Sequence, residues 1–200
     1  MVEVQKQLIT KTIVDQFILD FESKLVQMLA IGGYKNLNDY ANSRSDDPKQ
    51  KTVEKTKAIA FFYENSFKTV CEKNGLTIGT KSSDGYDVII DGVEYEMKLT
   101  LSLGDSWTGN SYSHVKVKNL ILIKISVDDN NKVDGLFFAT LNSQNSNWKS
   151  SENGKNNSAF SSLFISKEDI SNLEIVYGQY RLKRANSKNI GIILEKYSSK

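Results

Sequence analysis

The 200-residue chain holds one cysteine, Cys71, and one histidine, His114. A lone thiol cannot close an internal disulfide, the expectation for a reducing compartment. With so few imidazole and thiolate ligands, a structural zinc site, a His-Glu-x-x-His metalloprotease and a nuclease built on paired histidines have nothing to draw on. Metal chemistry here must use carboxylates. Long apolar runs are missing too: the longest, Leu120 to Val127, is interrupted by Lys124 and is far too short to span a bilayer. The N-terminus shows no basic start, apolar centre and small-residue cleavage site, so a cytoplasmic protein without a membrane partner is expected. Nor does one sign of charge dominate. Lys and Arg number 26 against 24 Asp and Glu, a net charge of +2 that permits a nucleic-acid partner without demanding one.

What is present reads as one globular domain over residues 1–200, with a helical part at 1–47, a core at 48–141 and a C-terminal part at 142–200. Apolar residues at Ile13, Val14, Phe17, Ile18, Phe21, Leu25, Met28 and Leu29 recur at helical spacing and predict a helix from Lys11 to Ala30, closed by Gly32-Gly33. A shorter helix is expected over Leu37 to Asn42. Asp47 as cap, Pro48 as first helical residue and Gln50 three past the cap predict a helix running to Asn74, with Ile59, Phe62, Phe67 and Val70 inward.

After Gly75 the period changes to alternation. Strands are expected at Leu76 to Thr80, Tyr86 to Ile90, Val93 to Thr100, Val115 to Val127 and Gly135 to Leu141, with Asp91-Gly92 as a two-residue type I′ turn. The segments around 104–116 and 142–158 read as loops. Further on, a strand at Phe160 to Ile165, a short helix capped by Ser166 and a hairpin from Glu174 to Lys183 and Asn189 to Tyr197 are expected. The fold class is therefore α/β, a central mixed sheet flanked by helices.

The hairpin around Asp91-Gly92 carries unusual cargo. Counting outward from the turn sets Asp87 opposite Glu96, and alternation puts Glu94, Glu96 and Lys98 on one face and Val93, Tyr95, Met97 and Leu99 on the other. Opposed carboxylates on neighbouring strands destabilise a sheet by roughly 0.2–1 kcal/mol. A divalent cation offsets that repulsion, and an all-oxygen donor set suits Mg²⁺. Such an ion, with an amine beside it, is equipped for phosphodiester hydrolysis. The alternative is a strand pair whose polar face meets solvent, with Glu96 and Lys98 as surface charges.

Asp87, eight intervening residues and then Glu96-Met97-Lys98 resemble the PD-(D/E)XK nuclease superfamily, which includes most type II restriction endonucleases. Tyr86 stands where that pattern nominally has proline, and Asp84 competes with Asp87 for the first acidic position. The resemblance covers about half of the chain, from Pro48 to Leu141, and implies a restriction-endonuclease-like core. It further implies that Asp87 and Glu96 bind Mg²⁺ together with the Met97 carbonyl, and that Lys98 helps to activate water. Double-stranded DNA is then the substrate and a homodimer the working unit. Glu54 and Glu64 on the preceding helix are candidates for an extra acidic ligand.

For DNA contact, the segment after the Lys98 strand offers Trp107, Thr108, Asn110, Ser113, His114 and Lys116. Arg181 and Arg184, with Lys183 and Lys188, form a basic cluster suited to a duplex backbone. Two other functions stay open from sequence: a structure-selective nuclease of the junction-resolvase or repair type, and a non-catalytic nucleic-acid or protein-binding module.

Overall fold

The computed structural model describes residues 8–79, 86–101, 106–110, 119–142, 148–151, 160–164 and 173–179. Four helices come first: α1 (Lys11–Ile31), α2 (Leu37–Arg44), α3 (Pro48–Ala60) and α4 (Tyr63–Lys73). Thr10 caps α1 by accepting from the Ile13 N–H, and Gly33, at φ 74°, takes the left-handed conformation just past its end. Asn36 caps α2 and Asp47 caps α3, the latter through Oδ1 to the Lys49 N–H at 2.9 Å. Gln50 does not complete a capping box. Its amide donates to Glu54 one turn ahead, and the Asp47 N–H goes to the Ser45 hydroxyl.

The helix expected from Pro48 to Asn74 is two helices. At Phe61–Phe62 the hydrogen bonding tightens, the Phe62 N–H reaching the Ile59 carbonyl, and Phe62 leaves the helical region at φ −132°. No glycine or proline marks the break. Phe62 packs against Phe21 of α1, ring centroids 5.2 Å apart, while Phe61 is left 89% exposed. The restart makes Tyr63 the first residue of α4.

Two sheets follow. The larger has six strands in the order β1-β2-β3-β5-β6-β9, namely β1 (Ile78–Gly79), β2 (Val88–Ile90), β3 (Val93–Thr100), β5 (Asn119–Val127), β6 (Val133–Asn142) and β9 (Leu173–Gln179). It is mixed, because β3 and β5 run parallel and every other pair is antiparallel. The smaller sheet joins β4 (Ser106–Asn110), β8 (Phe160–Phe164) and β7 (Trp148–Ser151) in that order. The fold is thus α/β, with an open mixed sheet and helices packed on it.

Three expectations from the sequence change. Segments 104–116 and 142–158 are not wholly loops: each contributes a strand to the small sheet, β4 and β7. The first strand shrinks to Ile78–Gly79, where a Cβ on Gly79 would stand 2.9 Å from the Ile89 Cβ, so only glycine permits that approach. A parallel pair needs a crossover, and the chain between β3 and β5 makes it by way of β4. The Ser166 helix and the outer half of the closing hairpin lie outside the described residues; β9, its inner strand, pairs with β6.

The core lies between the helices and one face of the large sheet. Phe17 of α1 sits 5.8 Å from Phe67 of α4 and 6.4 Å from Phe138 of β6, centroid to centroid, and Val88, Ile90, Tyr95, Met97, Ile121 and Ile123 complete the sheet side. At the β5–β6 turn, Glu22 of α1 is buried and accepts from both the Val133 N–H and the Lys132 ammonium at 2.8 Å, tying the helix to the sheet. Among the described residues no helix is long and apolar enough to cross a membrane.

Candidate active site

Asp91 and Gly92 both have positive φ, 47° and 80°, as a type I′ turn requires. The turn fixes the register: Ile90 pairs with Val93, Ile89 with Glu94 and Val88 with Tyr95. One step further the ladder stops. The Asp87 N–H still reaches the Tyr95 carbonyl at 3.1 Å, but its carboxylate takes over the role of the strand, with Oδ2 accepting from the Met97 N–H at 2.8 Å. The N–H and C=O of one strand residue point to the same side, so the Met97 carbonyl also projects from the edge that β2 has vacated. Tyr63 meets it there, its hydroxyl donating to the Met97 oxygen at 3.3 Å.

Glu96 and Lys98 lie on the sheet face away from the helices, beside Leu120 and Leu122 of β5. They are not surface charges, as the solvent-face alternative requires. The Glu96 side chain is 4% exposed and that of Lys98 15%, and the Lys98 ammonium is paired directly with Glu96 Oε1. The second oxygen, Glu96 Oε2, is buried and takes no hydrogen bond among the described residues. Burial pushes the Glu96 carboxyl above the usual range; Lys98 pulls the other way, and the adjacent Asp87 carboxylate adds to the rise. For Tyr63, burial and then the Glu64, Asp87 and Glu96 carboxylates hold the phenol protonated, so it remains a donor.

The expected trio therefore gathers where β2 ends. Glu94 faces the same side but is set nearer the turn, its carbonyl accepting from the Asn119 amide at 3.2 Å. Glu64 belongs to the neighbourhood through Tyr63, whereas Glu54 is bonded to Gln50 and Lys57 on the exposed side of α3. No three acidic, histidine or cysteine side chains form a metal-binding group among the described residues. What the site offers a hard cation is two carboxylates, one with an unpartnered buried oxygen, and a main-chain carbonyl with a lone pair to spare.

Of the DNA-contact candidates, the backbone of Trp107, Thr108 and Asn110 lies in β4, which pairs with β8 and comes close to β3. Ser113, His114, Lys116, Arg181 and Arg184 fall outside the described residues, as does Asp84. Cys71 is buried in α4 with its thiol pushed up to about 12, which leaves it protonated and without nucleophilic chemistry.

Two residues of this neighbourhood escape the sequence reading. Tyr63 was hidden inside a supposedly continuous helix; the one hint is a hydroxyl among Phe61 and Phe62, since a buried tyrosine needs a polar partner. Lys124, fully buried, pairs in register with Thr100 and so shares the face of Glu96 and Lys98. The sequence shows it only as an interruption of an apolar strand. Compared with known families and with characterised proteins, the chain matches no family model and no curated relative.

Proposed function

We propose that this chain is a Mg²⁺-dependent endonuclease of the type II restriction class, hydrolysing phosphodiester bonds of double-stranded DNA at a short specific sequence. One observation carries the reading: the Asp87 carboxylate locked onto Met97 N–H beside a buried Glu96–Lys98 pair. A carboxylate buried with an orphaned oxygen is costly unless something positive meets it. The order of elements supports the same reading, a helical layer followed by the antiparallel β1–β2–β3 and then the parallel β5, as expected of a restriction-endonuclease-like core.

In this proposal Asp87, Glu96 and the Met97 carbonyl hold Mg²⁺. The ion supplies Lewis-acid stabilisation of charge at phosphorus and lowers the pKa of water. Asp87 does two jobs, its Oδ2 fixing the β3 backbone while the same carboxylate brings negative charge to the cation. Lys98, held within the sheet by Glu96, is the cationic donor that turns to the attacking water or the scissile phosphate. One such centre cuts one strand, so scission of both strands calls for a homodimer whose two-fold axis matches a palindromic site.

Incubating the chain with phage DNA in Mg²⁺ or in EDTA tests this. Discrete fragments in Mg²⁺ alone, lost in Glu96→Ala and Lys98→Ala, are expected. Preference for branched DNA would replace the reading by a junction resolvase, and no cutting of any DNA would leave a binding module.

A further inference from the structure

We propose that Tyr63 is a positioning residue for the divalent cation, an inference that rests on the metal reading above. Among the described residues, Met97 lies on a strand edge with no neighbouring strand beyond Val88. An edge peptide of that kind has no ladder to hold its carbonyl in direction. Here two side chains do so instead. Asp87 Oδ2 accepts from the Met97 N–H at 2.8 Å, and the Tyr63 hydroxyl donates to the Met97 oxygen at 3.3 Å. A carbonyl oxygen has two lone pairs, so the hydroxyl occupies one and leaves the other for a cation held beside the Asp87 and Glu96 carboxylates.

The scaffold behind this pin is buried in the core. Tyr63 opens α4, whose Phe67, Val70 and Cys71 are buried, and the break at Phe61–Phe62 sets where that helix begins. At 3.3 Å the hydrogen bond is longer than the usual O–H···O range. Such a bond adds little stability, and a phenylalanine would bury the same ring without a polar group to satisfy. Direction imposed on a ligand is the role this geometry serves, in the way that outer partners orient the groups binding a metal.

Tyr63→Phe removes the hydroxyl and keeps the ring. Mn²⁺ binding, followed without DNA by the electron paramagnetic resonance of the free ion, is expected to weaken roughly tenfold to a hundredfold, the usual cost of losing an outer partner. The melting temperature should stay near wild type, and cleavage should recover further at saturating than at limiting Mg²⁺. Equal Mn²⁺ affinity in Tyr63→Phe and wild type, or tighter binding in the variant, overturns the inference alone. A wild-type chain that takes up no Mn²⁺ removes the metal reading and this inference with it. If wild type binds Mn²⁺ yet cuts no DNA, the nuclease reading falls while the comparison of affinities still decides the role of Tyr63.

Discussion

The Asp87 carboxylate holds the main-chain N–H of Met97 at 2.8 Å, a side chain standing in for the strand that has just ended. Structure and chemistry meet in that bond, because the same carboxylate that finishes the hairpin is presented to whatever binds beside it.

Asp87→Asn and Asp87→Ala should therefore separate. Asparagine keeps an acceptor for Met97, so folding should survive while cutting is lost. Alanine leaves a half-buried N–H unpaired, a loss of about 1–3 kcal/mol. Chemical denaturation beside a cleavage assay checks this, and equal stability of the two variants would contradict it.

Lys98→Ala should cost stability as well as activity, since it strands the Glu96 carboxylate inside the sheet. The expected loss is on the order of 2–3 kcal/mol, below the figure for a fully enclosed pair because Lys98 keeps some exposure. Adding Glu96→Gln should recover much of it. A double-mutant cycle with no coupling would show the pair to be energetically idle.

Glu96 also sets a pH dependence. Burial raises its folded-state pKa, so above the ordinary glutamate value of about 4.3 the folded chain holds a proton that the unfolded chain has released. Its contribution to stability is thus fully present below that value and is lost as pH rises through the folded pKa. Glu96→Gln should gain stability relative to wild type over an interval that begins near the ordinary glutamate value and extends upward in pH, read from paired melting curves. A constant difference across that interval would argue against the raised pKa.

Glu22→Ala removes the acceptor of the Val133 N–H and the partner of Lys132. A loss of about 1–3 kcal/mol is expected, with no change in Mn²⁺ affinity, because the tether lies at the β5–β6 turn. A weaker metal affinity would instead couple that end of the sheet to Asp87 and Glu96.

Much of this was readable in advance where a local rule decided the outcome. The Asp91-Gly92 turn gave the register as far as Val88 with Tyr95, Asp87 follows one step beyond the ladder with its carboxylate near Glu96, and the apolar period of α1 named its buried residues. What escaped depends on contacts distant in sequence. The break at Phe61–Phe62 comes from packing against Phe21, some forty residues earlier, and helical periodicity carries no trace of it. Strands β4 and β7 are rich in serine, asparagine and tryptophan, and they form because β8 lies between them. Lys124 looks like a break in a buried strand until the parallel partner is known.

The two-residue turn at Asp91-Gly92 has a consequence for how this chain can vary. Inserting a single amino acid between Ile90 and Val93 would rotate the parity of β3 against β2 and trade inward for outward positions along the strand. Glu96 and Lys98 would then be driven among the phenylalanines, and Met97 would take their place. A change of length at this corner would therefore turn the whole polar face of the strand into the core.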